Sequence, residues 1–145
     1  KKDSFDFKLE TIGVYTNEEL VQKACEILIQ KLTSIHDTIE DAGIIEKSIS
    51  TIPNSFDIKL INTGYTVGKI IEYMLHKNNY QGETEKNLTY VGFRKNHPHD
   101  EDSVIRMGMI ERDGNDGYNE VVVSNMRFGC NNAIEILTNI MAEFS

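Results

Sequence analysis

Cysteine is nearly missing: Cys25 and Cys130 are all that 145 residues hold. Two thiols so far apart supply neither a zinc module nor a disulfide framework. Both fall within apolar helical patterns, which reads as buried thiols in a reducing compartment. No apolar run approaches the roughly 18 residues of a membrane span, and no secretory signal opens the chain. Without such a signal, the glycosylation-type triplet Asn87-Leu88-Thr89 reads as chance. A basic block is also missing. Residues 1–42 carry five bases against nine acids and the remainder ten against fourteen, so both parts stand at −4 of a net −8. A nucleic-acid surface needs clustered Lys and Arg to displace counterions, and this distribution argues against direct DNA or RNA binding. No GxSxG, CxxC or glycine-rich phosphate loop is present. Nor is there an initiator methionine, and the chain reads as part of something longer.

What is present alternates between two periods. In "FDFKLETIG" (5–13), Phe5, Phe7 and Leu9 alternate with Asp6, Lys8 and Glu10, the pattern of a half-buried strand. "TNEE" (16–19) is a capping box, with Thr16 as N-cap and Glu19 at the third helical position. The helix behind it has Leu20, Ala24, Leu28, Leu32, Ile35 and Ile39 on one stripe, widened by Val21, Cys25 and Ile27, and should stop near Gly43. Residues 43–54 show no period and read as a linker. "SFDIKLIN" (55–62) is a second strand, followed by a helix from about Thr66 with Val67, Ile70, Ile71, Met74 and Leu75 at helical spacing. Polar residues 78–87 lead to two strands, 88–94 and 104–111. "EVVV" (120–123) reads as a short strand, and a last helix runs from about Asn125 to Phe144, with Met126, Cys130, Ala133, Leu137, Ile140, Met141 and Phe144 on its stripe. Six buried side chains on the first helix, at ~1.5–3 kcal/mol each, would rival the net stability of a domain, so that stripe should not face water.

Between the two late strands lies "FRKNHPHDEDS" (93–103). His97 and His99, with Asp100 or Asp102, could hold a metal, or serve acid–base chemistry. Pro98 stiffens the intervening backbone and tends to point the rings apart. A rigid exposed turn with solvated acids is the plainer reading. "DGNDG" (113–117) is similar to a calcium loop but puts Gly117 at the fifth position and Ser124 at the twelfth, so it reads as a hairpin turn. Gly68, inside a helix, suggests a neighbouring helix that approaches too closely for a side chain.

Taken in order, these pieces resemble the assembly subunits of multisubunit DNA-directed RNA polymerases. "TVGKIIEYMLHKN" (66–78), "LTYVGFRKNHPHDEDSVIRM" (88–107) and a terminal amphipathic helix are similar to the eleventh subunit of polymerase II and its archaeal counterpart. That family is related to the amino-terminal domain of the bacterial alpha subunit. Its pattern is roughly Glu-Asp-His-Thr-Leu-Gly-Asn, then Gly-Tyr-x-x-Pro-His-Pro-x-Glu. Thr66-Val67-Gly68, Gly92-Phe93, His97-Pro98 and Asp100 match it. Thr63, Gly64 and Tyr65 replace Glu-Asp-His, while Lys69 replaces Asn and Asn96 the first Pro. Residues 5–32 resemble the end of the third subunit of polymerase II and of the archaeal protein that corresponds to it. The two joined in one chain are similar to the fused subunit of large cytoplasmic DNA viruses such as the African swine fever virus group.

The resemblance implies an α+β, alpha-subunit-like dimerisation fold, a small mixed or antiparallel sheet with two long helices on one face. A strand and helix of the partner half (1–42) would precede it, joined by a linker (43–54) to the dimerisation domain (55–145). It implies a non-catalytic platform with no cofactor. The platform would carry two large catalytic subunits and a small zinc-binding subunit, and pair with a third-subunit-like half upstream. It implies no direct nucleic acid and no membrane. A viral protein would sit in the cytoplasmic virus factory and the virion, and a cellular one in the nucleus. Leu20, Ala24, Leu28, Leu32, Val67, Gly68, Ile71, Met74, Leu75, Ala133, Leu137 and Ile140 would form the helix interface. Arg94, His97, Pro98 and Asp100 would meet a large polymerase component. The rival reading is a free-standing α+β enzyme or metal- or ligand-binding domain built on His97, Pro98, His99 and Asp100.

Overall fold

Thr16 opens the first helix as the capping box predicts. Its hydroxyl accepts the Glu19 N–H at 3.1 Å, and the Glu19 carboxylate accepts the Thr16 N–H at 2.8 Å. Two backbone donors that the helix itself cannot satisfy are thereby paired. The computed structural model describes residues 1–114 and 117–145. The middle of the expected hairpin at 113–117 lies outside the described residues. Helix α1 spans Asn17–Thr38, followed by β1 (Ile45–Lys47), β2 (Ser55–Leu60) and α2 (Tyr65–Leu75), which continues into a π-helical turn (His76–Tyr80). Strands β3 (Leu88–Arg94) and β4 (Ser103–Met109) precede α3 (Tyr118–Glu143). The fold is α+β, and all strand pairs are antiparallel in the order β1-β2-β4-β3.

Strand register sorts the side chains into two faces. Ile45, Ile58, Ile105 and Phe93 lie opposite one another across all four strands. With Leu60, Met107, Met109 and Leu88 they build the core side, where Ile58, Ile105, Met107 and Leu88 are fully buried. Directly behind that row run Glu46, Asp57, Arg106 and Gly92, the polar row of the opposite face. One face dry and one wet is the usual state of an antiparallel sheet. The helices cover the dry face. Gln22 Nε2 donates to the Phe144 carbonyl at one end, and Arg127 Nη2 reaches Glu40 at 2.9 Å at the other, so α1 and α3 run antiparallel. Helix α3 packs against α2 as well and sits between them.

Three expectations differ from the structure. Residues 5–13 form no strand: Phe7 is 95% and Ile12 100% exposed, and the backbone pairs with no edge of this sheet. Alternation describes a side-chain pattern, but a strand needs a neighbour for its N–H and C=O groups. The stretch read as a linker is part of the sheet. Ile44 is buried and β1 pairs with β2, the Ser48 N–H donating to the Ser55 carbonyl at 2.9 Å. "EVVV" is helical, since Tyr118, Val122, Met126, Ala133 and Leu137 continue one stripe of α3. Packing against neighbours overrides the β preference of three valines.

Glycine has opposite meanings in α2 and α3. A Cβ on Gly68 would overlap the Phe93 ring, so the close neighbour is an aromatic side chain of β3 and not another helix. On Gly129 a Cβ would meet Met74 Cβ at 3.6 Å, an ordinary contact. Gly68→Ala should therefore cost about 1–3 kcal/mol through overpacking. Gly129→Ala should gain about 0.5–1 kcal/mol from helix propensity alone. Urea midpoints of the two variants against the parent measure both.

Candidate interaction surfaces

The twelve residues assigned to a helix interface divide into covered and uncovered groups. Leu32, Val67, Gly68, Ile71, Met74, Leu75, Ala133 and Leu137 are buried within this chain. Leu20 and Leu28 are half-buried, while Ala24 and Ile140 are exposed. The stripe of α1 thus meets α3 along Cys25, Leu32 and Ile39, and its flank is left open. This is the covering that its apolar content demands, supplied by a helix of the same chain.

Part of this set borders open apolar surface. Between α2 and α3 runs a groove of about 320 Å³ lined by Ile70, Tyr73, Met74, Ala133, Ile136 and Leu137, with Lys69 at its rim. Tyr73 is 61% exposed and Ile136 44%. Neither residue stands out in the sequence, because each lies at the edge of a stripe and not at its centre. The second open region is the extended N-terminal segment with Phe5, Phe7 and Ile12. Contiguous exposed apolar surface of this kind marks a contact with another protein or a further segment.

The 93–103 segment is a surface turn. Asp100 folds back to accept the His97 N–H at 2.9 Å, and its own N–H donates to the His97 carbonyl at 3.0 Å. The His99 N–H donates to His97 Nδ1, which brings the two rings to 5.0 Å rather than driving them apart around Pro98. Arg94, His97, Pro98, His99 and Asp100 are all exposed. Among the described residues no group of three His, Cys, Asp or Glu side chains is gathered as a metal cage.

On the wet face of the sheet, Arg106 holds Asp57 in a two-pronged pair, Nε to Oδ1 at 2.7 Å and Nη2 to Oδ2 at 2.9 Å. Ser48 Oγ also donates to Asp57, and Arg94 stands 3.9 Å away. The Arg106 guanidinium holds the Asp57 carboxyl below the usual carboxylate range, more strongly than its partial burial raises it. Asp102, at the end of the turn, is lowered by the Asn62 N–H. Two amide pairs lock the other end of the molecule. Asn87 and Asn125 exchange hydrogen bonds of 3.0 and 2.8 Å, and Asn78 donates to Asn132 at 2.9 Å. Asn87, the acceptor of the glycosylation-type triplet, is therefore engaged inside the fold.

No protein-family model matches the chain, and no curated protein does. Among the described residues, no helix is long and apolar enough to cross a membrane.

Two outcomes follow from these contacts. A carboxylate lowered in the folded state contributes stability that is complete above its unfolded pKa of about 3.9 and is lost as pH falls through the folded value. Asp57→Asn should cost about 1–3 kcal/mol at neutral pH, and its deficit against the parent should shrink in urea titrations run progressively below about pH 3.9. Burial raises the Cys130 thiol to about 12, so little thiolate is available to react. Iodoacetamide should leave Cys130 unmodified in the native protein and label it in denaturant, as peptide mass spectrometry would read.

Proposed function

We propose that this chain is a non-catalytic assembly platform of a multisubunit DNA-directed RNA polymerase of the viral fused type. The order of its motifs supports this reading, and so does one structural observation that carries most weight. The α+β unit is complete in its core and yet leaves apolar surface open at the α2–α3 groove and along the Phe5–Ile12 segment. Contiguous open apolar surface of this kind suits a contact with a further protein segment. A half-platform makes such contacts, because a third-subunit-like half would lay its own helix in the groove and take the N-terminal segment as a strand. The antiparallel pairing of α1 with α3 agrees with this arrangement, α1 being the helix that resembles the third subunit.

In this reading the two large catalytic subunits and a small zinc-binding one dock on the assembled pair, with Arg94, His97, Pro98 and Asp100 at one of the large contacts. The net charge of −8 suits a surface that meets protein and stands away from nucleic acid. Transcription by a viral enzyme would place it in the cytoplasmic factory and the virion. The deciding experiment is a pull-down through a tag on the full-length protein from cells that express it naturally, with partners identified by mass spectrometry. Two very large subunits and several small ones at near-equal amounts are expected. A protein recovered alone, or only with itself, overturns the reading.

A further inference from the structure

The exposed side of α2 carries Tyr65, Lys69 and Tyr73 at successive turns, and it faces the end of β3. Tyr65 and Phe93 meet edge to face at 5.6 Å. Lys69 Nζ lies 5.8 Å from the Phe93 ring and Lys95 Nζ 5.5 Å from the Tyr65 ring. The two lysines differ in one respect. Lys69 is neutralised by Glu72 at 3.0 Å, whereas no carboxylate lies within salt-bridge distance of Lys95 among the described residues. A cation held over an aromatic ring is positioned in advance, and its N–H donors stay available on the side away from the ring. Tyr65, 52% exposed, adds the rigid amphipathic contact area in which protein interfaces are enriched.

We infer that the Tyr65–Lys95 pair, with Lys69 beside it, is the recognition site for an acidic segment of a protein partner. Resting on the platform reading above, this names the chemistry of a contact on one of its partners. This is a cationic spot on a chain of net charge −8, so an Asp- or Glu-rich segment gains its attraction here and is repelled over most of the remaining surface. Nucleic acid would carry the same charge but needs a run of several bases to neutralise its phosphates, and this spot offers one unpaired lysine among the described residues.

The test has two arms. In the first, fluorescence anisotropy follows a labelled Asp/Glu-rich peptide, its Asn/Gln counterpart and a single-stranded RNA binding to the purified full-length protein. The acidic peptide should bind and weaken as salt rises, and the neutral one should not bind. Lys95→Glu and Tyr65→Ser should each weaken binding by about two- to fivefold, the range of an exposed charge pair, while Lys47→Glu on exposed β1 leaves it unchanged. Thermal midpoints equal to the parent's certify that the variants fold. Peptide binding indifferent to Lys95 and Tyr65, or RNA binding that outcompetes the peptide through Lys95, overturns the inference. In the second arm, Lys95→Glu in the pull-down should lower recovery of one of the large polymerase components in parallel. If the parent protein recovers no such component while the peptide still depends on Lys95, the platform reading fails and the acidic-segment site stands.

Discussion

Everything in this fold depends on α3 being flanked by both other helices. Helix α1 lies antiparallel on one side and α2 on the other, and Tyr118 at its start meets Phe56 of β2 with ring centres 6.0 Å apart. A helix so enclosed cannot carry bulk everywhere, and its buried stripe includes the small residues Gly129, Cys130 and Ala133. The rise of the Cys130 thiol far above its ordinary range is a by-product of the same enclosure. That cysteine is a packing residue.

A second joint ties α2 to the edge of the sheet. Gly68 makes room for the Phe93 ring, and the Glu72 carboxylate one turn later accepts the Phe93 N–H at 2.8 Å. Helix and strand are thus held by an apolar contact and a charge-assisted hydrogen bond at neighbouring positions. This joint links α2 to the end of β3. Around it, Tyr65 and Lys69 stand beside the Phe93 ring and Lys95 beside the Tyr65 ring on the outer side.

Much of this is legible in the residues. The Thr16–Glu19 box marks where α1 starts, and the strict alternation of "SFDIKL" and "VIRMGM" gives β2 and β4 together with their inner faces. Gly68 announces a close neighbour, although its identity is not readable, because a contact between α2 and β3 is set by topology and not by spacing. The Phe5–Ile12 segment misleads for a related reason. Its pattern is that of a strand, but pairing belongs to two segments and a sequence displays only one of them. The valines at 121–123 mislead because a short apolar run fits both periods, and the arbiter is the long stripe continuing to Leu137. Of the groove, Ile70, Met74, Ala133 and Leu137 are legible as stripe residues, whereas its rim of Tyr73 and Ile136 borders the stripes, where periodicity is least informative.

The Glu72 carboxylate has one more effect. β3 is the last strand of the sheet, and a last strand ordinarily offers its outward N–H groups to any passing extended peptide. Here the Phe93 donor, near the end of that edge, is already taken. An intruding strand would have to evict a half-buried carboxylate and leave it without its hydrogen bond. The flank beside β3 is therefore guarded against stray extension and aggregation. On the opposite flank, no side chain accepts a backbone N–H of β1 among the described residues.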